Sequence, residues 1–129
     1  AIWAVPLSFI GAMTAGFIAA RAGLSLPFVE PIIVISTIIL GLCVLLALRV
    51  PVAVSAALVG FFGLFHGHAH GAELGEATPL AFGIGFVLVT AVLHASGILI
   101  AQFMKQAHAN APRILGGFSA ALGLSLLFS

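Results

Sequence analysis

Where the charges fall constrains this chain more than any other feature. Arg21, Glu30, Arg49, Glu73, Glu76, Lys105 and Arg113 are its only formally charged side chains, and long charge-free stretches separate them. A soluble domain carries about a quarter charged residues, distributed over its surface. Here the share is 5%, with 63% of the 129 residues hydrophobic. That is too little polarity to hydrate a globule and too much apolar side chain for a disordered chain. A basic surface for nucleic acid is missing as well. What remains is an integral membrane protein.

A helix crossing a hydrocarbon core of about 30 Å needs roughly 20 apolar residues. Reading between the charges predicts five helices, at 1–20, 32–48, 52–70, 80–103 and 114–129, in a single all-α transmembrane domain over 1–129. Pro31, Pro51, Pro79 and Pro112 mark helix starts, where a missing N–H costs nothing. Thr78 makes a good N-cap before Pro79, and Pro6 lies near the first start. The strand alternation of a membrane barrel does not occur. Small residues four apart, Gly11/Ala15, Ala12/Gly16 and Ala56/Gly60, let backbones approach in lipid, where apolar burial supplies no drive between helices. A compact polytopic helical bundle is expected.

Lys and Arg set the orientation. Arg49, Lys105 and Arg113 fall in connections on one side, which should be cytoplasmic, and Arg21 alone falls on the other. Glu30 and the segment near 66–76 then face the periplasm or exterior. Cys43 is the only cysteine, so no internal disulfide forms. The chain starts at Ala1 without a signal pattern, which points to residues upstream.

The richest chemistry lies in Phe65-His66-Gly67-His68-Ala69-His70-Gly71-Ala72-Glu73, which holds three of the five histidines. On a continuing helix His66, His70 and Glu73 share a face while His68 points elsewhere. In an extended segment the three histidines line one side instead. Either way neutral imidazoles and a carboxylate converge, a donor set for Ni²⁺, Co²⁺, Cu²⁺ or Zn²⁺. Gly67 and Gly71 allow close backbone approach or unwinding. The bland reading is a solvated helix end with histidines at the headgroup level.

His94 sits deep in the fourth span, one turn after Thr90. An ionisable group at that depth faces the bundle interior or a wet cavity, either as a second ion station or as a packing hydrogen bond. Glu30, between Val29 and Pro31, either completes a coordination shell or supports a helix N-terminus. Glu76 and His108 read as solvated. Met13, Met104 and Cys43 read as packing, Trp3 as an interfacial anchor, and the phenylalanines as lipid-facing or core. The glycines near 83–85 and 116–117 make no phosphate loop, and no Ser-His-Asp set is visible.

Three segments together resemble a known family: Pro27-Phe28-Val29-Glu30-Pro31, the run from Gly60 through the histidines to Glu73, and the Gly83-to-Gly97 helix with His94. They are similar to the HupE/UreJ hydrogenase/urease accessory membrane proteins, regarded as nickel permeases of the bacterial inner membrane. That family also carries an upstream helix with a His-Pro-x-x-Gly-x-Asp-His type motif behind a signal peptide. The resemblance therefore implies that this chain corresponds to the last five of six helices. It also implies that part of the ion site lies upstream.

The expectation is a multi-pass transporter, not an enzyme, importing a divalent transition metal with nickel foremost. His66, His68, His70, Glu73 and Glu30 capture the ion on the periplasmic side, and His94 relays it. The partners are the metal ion and the lipid bilayer, with homo-oligomerisation open and no nucleic acid. The alternatives are an intramembrane zinc hydrolase on His66, His70 and His94 with Glu73 as base, a haem-binding bundle using His94 and a cluster histidine as axial ligands, and a structural subunit whose histidines only pack.

Overall fold

The computed structural model of the chain describes residues 2–129. These residues form five helices and no strand: α1 (Ala4–Arg21), α2 (Val29–Leu45), α3 (Val52–Ala72), α4 (Pro79–Ala107) and α5 (Ala111–Leu127). α1, α3 and α4 are long and apolar enough to cross a membrane, while α2 and α5 are shorter apolar helices of 17 residues each. With every backbone group bonded within its own segment, an apolar helix is the economical way through lipid. The chain is a helical membrane protein.

The helix ends follow local chemistry. Pro6, Pro31 and Pro112 all lie inside first turns, at the third, third and second helical positions, where no i−4 carbonyl is available to be lost. α2 and α5 therefore begin three residues earlier than the charge pattern suggests. Met104-Lys105-Gln106-Ala107, all strong helix formers, carry α4 four residues past the expected end. Thr78 accepts the first α4 bond, from the Phe82 N–H at 3.0 Å.

Two helices close in the same way on different residues. At the end of α1 the Gly23 N–H reaches the Ala20 carbonyl and the Leu24 N–H reaches the Ala19 carbonyl, with Gly23 at φ 87°. This is a Schellman closure, which wants a left-handed residue. At the end of α2 the Ala47 and Leu48 N–H groups reach Val44 and Cys43, with Ala47 at φ 51°. Ala47 has a Cβ in a region that favours glycine, at about 1 kcal/mol. Ala47→Gly is therefore expected to raise stability by roughly 0.5–1 kcal/mol, read as a higher thermal unfolding midpoint in detergent.

The chain divides into two compact units. One contains the chain up to Glu30 together with Val50–His94, hence α1, α3 and most of α4. The other contains Pro31–Arg49 and Ala95–Ser129, hence nearly all of α2, the end of α4, and α5. Within the second unit α2 and α5 run antiparallel at close range: a Cβ on Gly41 would lie 2.6 Å from the Ala120 nitrogen, and one on Gly116 2.7 Å from the Gly41 carbonyl. Arg113 Nε donates to the Leu45 carbonyl at 2.7 Å, which places a cation on the C-terminal carbonyls of α2.

Candidate metal centre

In the first unit the histidine-bearing end of α3 is held against α1 by a row of glycines. Gly63, Gly67 and Gly71 recur every fourth residue and face the carbonyls of Phe9, Met13 and Phe17, also four apart. The two helices therefore run parallel, backbone against backbone. A Cβ on Gly63 or Gly71 would stand 2.9 or 2.7 Å from its facing carbonyl oxygen, and at Gly67 the Met13 carbonyl leaves still less room. Gly16 answers from α1 by sitting against the Leu64 carbonyl and the His68 nitrogen. Close approach of this kind is how helices gain dispersion contact in lipid.

α4 packs on α1 in the opposite direction. Phe17 meets Phe82 and Phe86, with ring centroids 6.0 and 5.3 Å apart. Thr90 Oγ1 donates to the Met13 sulfur at 3.8 Å. Met13 is fully buried and accepts this weak bond on its sulfur, as packing material does.

α3 stays helical through Ala72, so His66 and His70 lie one turn apart on the same side. Their rings meet edge to face with centroids 5.0 Å apart. His70 lies against Phe86 at 5.3 Å and Phe82 at 6.4 Å. Phe9 of α1 stands between His66, at 5.8 Å, and His94 of α4, at 5.1 Å. His94 Nδ1 is 2.9 Å from the Thr90 carbonyl. Because a carbonyl only accepts, Nδ1 donates this bond, which leaves Nε2 as the nitrogen through which the neutral ring would ligate a metal.

His68 is elsewhere. Its ring is 8% exposed, and Nε2 lies 2.7 Å from the carbonyl of Leu24 in the α1–α2 connection. Glu73 is the C-cap of α3, its N–H on the Ala69 carbonyl at 3.1 Å, and is exposed. Glu30 lies in the first turn of α2, also exposed. His108, in the α4–α5 connection, accepts from the Asn110 N–H at 3.2 Å and caps the backbone.

The structure thus brings His66 and His70 together and sets His94 across Phe9 from them. Among the described residues no three His, Cys, Asp or Glu side chains are gathered to hold one ion. An ion held by the pair takes one nitrogen from each ring at about 2 Å and fills its remaining positions from water. A cavity of this unit, about 540 Å³ between α1 and α4 and lined by Phe17, Arg21, Leu80, Ile84 and Phe86, offers almost only carbon and is no ion site. Phe9 and the Leu24 carbonyl are contributors that the sequence pattern did not single out. Neither residue type carries a ligand signature, and only helix packing brings them here.

Comparison with known proteins bears on the same residues. The family model described as HupE / UreJ protein matches residues 1–126. Protein HupE of Rhizobium leguminosarum bv. viciae is 38% identical over 130 residues, covering 98% of this chain and 68% of that protein. No solved structure matches the chain.

Proposed function

Since the chain belongs to the HupE/UreJ family, an accessory and transport family, we propose that it is a permease of the bacterial inner membrane. In this proposal it imports a divalent transition-metal ion, nickel foremost, for hydrogenase or urease maturation. The 129 residues act as one transmembrane domain. The observation that carries the proposal is the His66–His70 pair at the end of a membrane helix, with His94 across one phenylalanine ring.

Capture starts with charge. Glu73, at the C-cap of α3, and Glu30, in the first turn of α2, are exposed, and carboxylates there raise the local cation concentration. His66 and His70 then exchange two of the ion's water ligands for imidazole, which suits Ni²⁺, Co²⁺, Cu²⁺ and Zn²⁺. Two protein ligands are fewer than a closed structural site uses. For a carrier that is an advantage, because conduction needs a site strong enough to fill and weak enough to empty. His94, held by Nδ1 on the Thr90 carbonyl and offering Nε2, is the next station inward. The zinc hydrolase reading needs three protein ligands around one ion, and the geometry of the described residues lends it no support.

Imidazole ligates only in its neutral form, so protons compete with the metal and the sign is fixed. Affinity is highest above the ordinary imidazole range and falls as pH drops below about 6.5. Proteoliposomes loaded with a nickel-sensitive dye test both statements. Uptake is expected at pH 7.5 and is expected to slow as the pH is lowered to 5.5, because protons compete with the metal for imidazole nitrogen. Equal rates in empty and protein-containing vesicles would remove the permease reading.

A further inference from the structure

We propose that His68 is a positioning residue, not a metal ligand: its ring ties the α1–α2 connection to α3 and so fixes the course of the segment leading to Glu30 beside the histidine-bearing helix. The proposal takes His66 and His70 as the metal pair and adds the part that holds their surroundings in place.

Three observations carry it. First, the 2.7 Å contact between Nε2 and the Leu24 carbonyl requires an Nε2–H donor, so the ring is held through Nε2 with only Nδ1 left to ligate, and among the described residues no three His, Cys, Asp or Glu side chains are gathered to share an ion with it. The ring is buried, with Gly16 packed on the backbone of the same turn. Second, the tie engages a residue already fixed through its own N–H. The Leu24 N–H closes α1 on Ala19 at 3.0 Å, so bonding its carbonyl to His68 joins the end of α1 directly to α3. A second bond runs beside it, Arg21 Nη1 to the Gly71 carbonyl at 3.5 Å. Third, the connection holds a conformation it would not keep alone. Phe28 has φ 58° although it is an exposed aromatic residue. Such a backbone costs about 1–3 kcal/mol and persists only where its surroundings enforce it. Glu30 follows two residues later.

Gln at position 68 separates positioning from ligation. Its amide N–H can still donate to the Leu24 carbonyl, but an amide is a poor partner for a borderline transition metal. Two readouts are taken on the full chain in detergent: calorimetric titration with Ni²⁺, and amide hydrogen exchange over 24–30. His68→Gln is expected to keep Ni²⁺ affinity within about threefold with protection of 24–30 retained. His68→Ala is expected to lose protection there and to bind about tenfold more weakly, as supporting residues around metal sites do. If His68→Ala does not fold, His68→Asn, too short to reach Leu24, replaces it. Loss of affinity in His68→Gln as large as in His66→Ala would make His68 a ligand, and unchanged exchange over 24–30 in the Ala variant would remove the tie. A wild-type protein that binds no Ni²⁺ while the exchange response persists sinks the nickel reading and leaves the tie standing.

Discussion

A single methyl group at Gly67 is expected to separate α1 from α3. Gly67→Ala should lower the thermal unfolding midpoint in detergent, and Gly67→Leu should leave no folded protein. Glycine to alanine inside a helix ordinarily gains about 1 kcal/mol from propensity, so the sign of the result carries information. At Gly67 the new Cβ meets the carbonyl of Met13, with the Met13 Cα 2.8 Å away. Both are backbone atoms of a packed helix, and neither can turn aside as a flexible side chain would. Relief requires moving α1 away, which loosens the Phe9–Gly63 and Phe17–Gly71 contacts together. Overpacking of this kind costs about 1–3 kcal/mol or more, enough to outweigh the propensity gain. Gly11→Ala is the internal control, because nothing lies within 4 Å of a Cβ there, and its midpoint is expected to hold or rise. Equal midpoints for the two variants would mean that the helices do not touch at Gly67.

The contrast between Gly11 and Gly67 shows what was legible in the sequence. Charge spacing and proline placement locate five helices because lipid leaves a backbone few choices, and the helix ends shift by a few residues where Pro sits inside a first turn, where an αL residue closes the end, or where strong helix formers carry the helix on, as at the end of α4. Small residues four apart were readable as a packing signal. Which of the candidate pairs packs was not, since Gly11 and Gly16 carry the same signature and only Gly16 meets a neighbour. The glycines of the histidine segment were readable as allowing close approach or unwinding. The structure takes the first course, and continuing the helix is what pairs His66 with His70 and turns His68 away. His68 illustrates the limit: its partner is a backbone carbonyl 44 residues distant in sequence, and every residue offers the same carbonyl. Glu73 was expected on the face of the pair; it is the exposed C-cap residue, its N–H still on the Ala69 carbonyl, and it is not gathered with the two histidines as a third ligand.

Replacing His66 or His70 by Ala is expected to reduce Ni²⁺ affinity by at least about tenfold, and the two losses should not add. The rings lie 5.0 Å apart on one helix face, and in the proposed site they act as a chelate. Once either imidazole is gone the other holds the ion alone, so the double variant should be only slightly weaker than each single one. In a double-mutant cycle that appears as a large coupling energy, the signature of residues that share a partner. Two independent weak sites would instead give additive losses and a stoichiometry falling from two to one. His94→Ala discriminates further. If His94 is the inner station, Ni²⁺ affinity at the outer pair should stay within about twofold while dye-reported uptake into vesicles slows sharply. If His94 joins the first coordination shell across Phe9, affinity and uptake fall together. Calorimetry and the vesicle assay on the same four proteins, wild type and the His66, His70 and His94 variants, therefore distinguish a two-station path from a single site.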